Sequence, residues 1–265
     1  MLGKLLKYDI RAMGRIMLPL YLVMIFIAGL FAVNMRMSMS GNAKALLEKF
    51  ALITGFLFFA AIMAVGVVML IMVIQRFYRN LLGTVGYLMF TLPVTTLQHI
   101  ISKALTSLIW IVIGIAAGAA AGFLMVGILS NIPEFMKELQ DTWKMFFSTK
   151  DLAAKVILLV ILLIIGIIES LCKVYAAMAV GHQLSSHRVI GSVGAYIGFG
   201  IVELILGNIL SADNALFGKL IGAFNQAVST IPNSVLIQLI IVSVIGTAVY
   251  GVLAWFLLDR HLNLE

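Results

Sequence analysis

The stretch ALITGFLFFAAIMAVGVVMLIMVI, residues 51–74, decides the fold. It carries no ionisable side chain and exceeds the roughly 20 apolar residues that an α-helix needs to cross about 30 Å of hydrocarbon. Lipid offers backbone amides no hydrogen-bond partner, so such a run spans either as a helix or as part of a closed barrel. Its hydrophobicity is continuous rather than alternating, which excludes the barrel. Five further runs have the same character: Ile16–Val33, Ala104–Leu129, Val156–Val180, Val189–Leu210 and Val235–Leu258. With 63% hydrophobic and 11% charged residues among 265, the chain lies far from the composition of a soluble domain. The expectation is an all-α integral membrane protein, a single transmembrane domain over residues 1–265 with six transmembrane helices.

The first run is long for the h-region of a signal peptide, and the following MSMSGNA has no small-residue cleavage pattern, so residues 16–33 are read as a retained span. The formal charge of +7 does not indicate nucleic acid, because the basic residues flank spans rather than gather on one soluble face. Arg11, Arg15, Arg76, Arg79, Arg188 and Arg260 fall on one side of the membrane against Arg36 on the other, which places both termini in the cytoplasm by the positive-inside rule. The lone Cys172 lies within the fourth span and reads as a small buried apolar residue.

Three segments outside the spans read as surface helices. Lys4, Lys7, Arg11 and Arg15 recur at steps of three and four, with Leu2, Leu6, Ile10 and Met13 on another face. This pattern predicts an amphipathic helix over residues 1–15, lying in the interface with its bases toward anionic lipid headgroups. Residues 131–154 place Pro133 near a helix start and Phe135, Leu139, Trp143 and Phe146 at helical spacing. Residues 211–234 do the same with Leu216, Leu220 and Phe224. Both are expected on the outer side.

Within the bilayer, small residues permit the close backbone approach that drives helix association. Gly114, Gly118 and Gly122 form two overlapping GxxxG steps in the third span, and Gly194 and Gly198 a further one in the fifth. Three ionisable residues also fall inside spans: Glu169, Lys173 and Glu203. Each is costly in hydrocarbon and demands a partner or a polar cavity. Glu169 and Lys173 stand four apart in the order that favours an intrahelical pair, and Lys173 is close enough to the cytoplasmic end to snorkel; Glu203 has no partner within one turn.

No phosphate loop, dinucleotide fingerprint, zinc-protease motif, cysteine cluster or nucleophile elbow occurs, so neither catalysis nor a metal is expected of this chain. His182 and His187 are five apart, which does not align them on one helix face, and they read as solvated loop residues.

The connection between the second and third spans is unusual. It carries a short apolar segment, Tyr87–Leu92, bracketed by Gly83 and Gly86 before it and Pro93 after it. Those side chains have nothing within the segment to bury against, so they must pack on the bundle or on another protein. The phrase GTVGYLMFTLPVTTLQHIISK, with the opening MLGKLLKYDIRAMGRIMLPLY and the closing LDRHLNLE, resembles the membrane permease subunits of bacterial ABC-2 type exporters, in particular the small six-span permeases of Firmicutes.

The resemblance implies a type V exporter-like transmembrane domain in the bacterial cytoplasmic membrane, with a cytoplasmic coupling helix within residues 80–98 that docks on a separate ABC ATPase. Carried over by position, Gly86, Tyr87, Leu88, Phe90, Thr91, Leu92 and Pro93 match the family phrase, with Gly83 just before it; Val85 departs from it, standing where an acid is expected. It further implies a second permease, identical or homologous, and ATP and Mg2+ bound by the ATPase rather than by this chain. The substrate class would be an amphiphilic peptide, lipid or drug-like compound. A gradient-driven transporter or channel and a non-transport membrane scaffold are the alternatives.

Overall fold

The computed structural model describes residues 2–39, 45–79, 95–130, 132–148, 150–184, 187–210 and 232–260. Among them run seven helices: α1 (Leu2–Met39), α2 (Ala45–Phe77), α3 (Thr96–Leu129), α4 (Ile132–Ser148), α5 (Lys150–His182), α6 (Arg188–Leu210) and α7 (Asn233–Arg260). All but α4 are long and apolar enough to cross a membrane. Large apolar side chains point outward along them, among them Phe26, Leu52, Phe56 and Val189, each at least 67% exposed. A continuous apolar exterior of this kind is what lipid, rather than water, covers.

The separate amphipathic helix expected over residues 1–15 does not exist as such: it is the first part of α1, which continues unbroken to Met39. A single Gly14 costs a helix only about 1 kcal/mol. Pro19 lies inside the helix, where the environment of a membrane span tolerates the lost hydrogen bond. Neither is a strong enough breaker to end it.

The chain forms two compact units, Met1–Gln75 with Leu105–Met145, and Arg76–Ala104 with Phe146–Glu265. In the first, Met13, Met17, Tyr21, Met24, Ala28 and Ala32 make the buried stripe of α1 at helical spacing. The Tyr21 hydroxyl donates to the Trp110 carbonyl (2.8 Å), and Phe31 of α1 stacks on Phe58 of α2. Arg36 donates to the Ile128 carbonyl (3.0 Å), filling one of the last carbonyls of α3, which the helix itself leaves unpaired. Within residues 131–154 the amphipathic α4 ends at Ser148 and leaves Leu139, Trp143 and Phe147 exposed, and residues 150–154 already belong to α5. Residues 211–231, holding Leu216, Leu220 and Phe224, lie outside the described residues.

In the second unit α5 packs on both α6 and α7. Small residues set the approach: Ala176, Ala177 and Ala179 are buried along α5, and Gly181 meets the backbone of Ser192 so closely that no Cβ fits between them. Phe77 stacks on Tyr175 with ring centroids 4.1 Å apart. The Thr96 hydroxyl donates to Asp259 (3.0 Å), bringing the start of α3 and the end of α7 to the same side of this unit, as an alternating path through the bilayer requires.

Candidate functional site: a polar cluster inside the membrane-spanning helices

Within the second unit the helical period brings polar side chains onto facing stripes. α5 contributes Glu169 and Lys173, α6 contributes Tyr196 and Glu203, and α7 contributes Ser243 and Tyr250. The Lys173 ammonium donates to Glu203 Oε2 at 2.5 Å, and the Tyr250 hydroxyl donates to Glu203 Oε1 at 2.6 Å, so both oxygens of that carboxylate are engaged. The ammonium also stands over the Tyr196 ring, 5.1 Å from its centroid, within cation–π range. A Cβ at Gly200 would lie 3.7 Å from Lys173 Nζ, so the absence of a side chain there leaves room for the head group. The Tyr250 ring is held by Phe199, centroids 5.2 Å apart.

Glu169 faces α7 instead. Ser243 hydrogen-bonds its carboxyl, and Oε1 lies against the bare backbone of Gly246, where a Cβ would clash. The expected intrahelical pair with Lys173 is therefore replaced by an interhelical one, and Glu203 has two partners from other helices. Lys173 does not snorkel to its nearer helix end either. Side chains lean toward the N-terminus of their helix, which sends Lys173 of α5 deeper and sends Glu203 of α6 back to meet it. The cluster holds two carboxyl groups and one ammonium. Lys173 is 11% exposed and Glu203 39%.

The glycines predicted to pack divide. A Cβ at Gly114 would meet the Tyr21 hydroxyl at 2.8 Å, so α1 and α3 touch there, whereas a Cβ at Gly118, Gly122, Gly194 or Gly198 would meet nothing within 4 Å among the described residues. Gly83, Gly86, Tyr87, Leu88, Phe90, Thr91, Leu92 and Pro93 all lie outside the described residues.

His187 is exposed, as a loop residue should be, but His182 is 7% exposed at the end of α5, its ring edge-on to Tyr78. A second polar stripe was also there to be read. His99, Ser102, Lys103 and Thr106 follow the i, i+3, i+4, i+7 pattern of one helix face, and all are at most 2% exposed on α3.

Comparison with protein-family models, with curated proteins and with solved structures finds no match.

Proposed function

We propose that this chain is the membrane permease subunit of an ATP-driven exporter of the ABC-2 kind, working beside a second permease and a separate ATPase. The observation that carries the reading is the phrase GYLMFTLP, residues 86–93, in the connection between α2 and α3, two helices long and apolar enough to cross a membrane. Six such helices and a basic extension of α1 beyond its apolar part support it. The chain is the path and the lever; nucleotide chemistry belongs to the partner. The test is co-purification in mild detergent: a nucleotide-binding subunit accompanies the chain and is lost on Y87D/L92D. Unchanged assembly and unchanged ATP-dependent transport in that variant would sink the proposal.

A gradient-driven transporter is the second reading, and the cluster of Glu169, Lys173 and Glu203 favours it, because ionisable groups inside membrane helices are what proton- or cation-coupled carriers use. Transport in sealed vesicles separates the two. Under the second reading transport proceeds without ATP and stops when an ionophore collapses the gradient.

A further inference from the structure

We propose that the N-terminal part of α1 holds a specific site for one anionic phospholipid. A groove of about 710 Å³ runs along this part of the helix, walled by Lys7, Arg11 and Arg15 and floored by Gly14, Leu18 and Trp110. The three basic side chains are exposed, and none of them makes an ion pair among the described residues. The nearest acid, Asp9, is buried and lies two residues from both Lys7 and Arg11, on the far side of the helix.

Trp110 rests directly on the α1 backbone: a Cβ at Gly14 would stand 2.9 Å from its Cζ2. Trp110 is 4% exposed, and its indole N–H has no hydrogen-bond partner among the described residues. Three exposed cations with no ion pair among the described residues, set along an apolar floor, ask for an acceptor-rich anion that carries apolar chains.

Depth selects the lipid. Arg15 and Arg36 bracket a length of α1 of about 31 Å at the helical rise, which matches the hydrocarbon thickness. Arg15 thus sits at the edge of the core, Arg11 about 6 Å beyond it in the headgroup layer and Lys7 a further turn out. A lipid phosphate lies at the height of Arg11 and Arg15, while Leu18 and the Trp110 ring meet the start of its acyl chains. A free anion would leave that apolar floor uncovered. The site does not depend on the permease reading, since it uses only α1 and α3.

The experiment is native mass spectrometry of the full chain in mild non-ionic detergent, titrated with phosphatidylglycerol or phosphatidylcholine. One phosphatidylglycerol is expected to stay bound with about tenfold preference. R11Q/R15Q brings that preference down to the phosphatidylcholine level, whereas R11K/R15K retains it and K49Q, on α2, leaves it unchanged. A W143F/W255F chain, in which Trp110 is the remaining tryptophan, reports the same event by emission without disturbing the groove: phosphatidylglycerol shifts it and phosphatidylcholine does not. Equal retention of the two lipids, preference surviving R11Q/R15Q, a silent Trp110, or displacement of the lipid by millimolar inorganic phosphate each overturns the proposal.

Discussion

Lys173 of α5 reaches across to Glu203 of α6, thirty residues away in sequence, and passes over Glu169 four residues away on its own helix. In a bilayer this choice has consequences for stability. A pair within one helix ties nothing together, whereas a pair between two helices holds their rotation and their depth relative to each other.

A double-mutant cycle tests that link. Lys173→Met leaves the Glu203 carboxyl with Tyr250 alone, and each single change, Lys173→Met or Glu203→Gln, should cost about 2 kcal/mol or more because it strands a charge or a donor. The double variant should recover about 1–2 kcal/mol of the summed loss when unfolding is followed in detergent micelles. Additive costs would show that the two groups are coupled only on paper.

Tyr250→Phe removes one donor from the same carboxylate and keeps the ring against Phe199. The expected loss is about 1 kcal/mol, the scale of one interhelical hydrogen bond in a membrane. A Tyr250→Ala variant adds the lost ring packing and should cost clearly more.

At Gly246 the clash is with a side chain that can be removed. Gly246→Ala drives a methyl group into Glu169 Oε1, so it should destabilise by about 1–3 kcal/mol in the native background. In a Glu169→Ala background that penalty should largely vanish. Equal penalties in the two backgrounds would show that the carboxylate is not what the methyl meets.

Two other glycines form a contrast. Gly181→Ala sets a Cβ against the Ser192 backbone, which cannot swing aside, and should cost about 3 kcal/mol or more while spreading α5 from α6. Gly118→Ala meets no atom of the described residues and should be neutral, or stabilising by up to about 1 kcal/mol through helix propensity. Comparing their melting temperatures under one condition is sufficient. A large loss at Gly118 in the assembled protein, with none in the dispersed chain, would show that another molecule covers that face.

The six helices long and apolar enough to cross a membrane were legible in the residues alone. The thickness of hydrocarbon is a constraint that each run meets by itself, and Ala51–Ile74 satisfies it without reference to any other part of the chain. Composition also singled out Glu169, Lys173 and Glu203, because charge in such a run is conspicuous wherever it points. Their partners were not legible. Local spacing favours Glu169 with Lys173, and only the packing of α5 on α6 and α7, with Gly181 and Gly246 permitting close approach, decides that Lys173 meets Glu203 and that Glu169 turns to Ser243. The same holds for the unbroken course of α1 and for buried His182. Crossing the bilayer is a property of one segment, whereas the partner of a polar group depends on how neighbouring helices are rotated, which no single segment encodes.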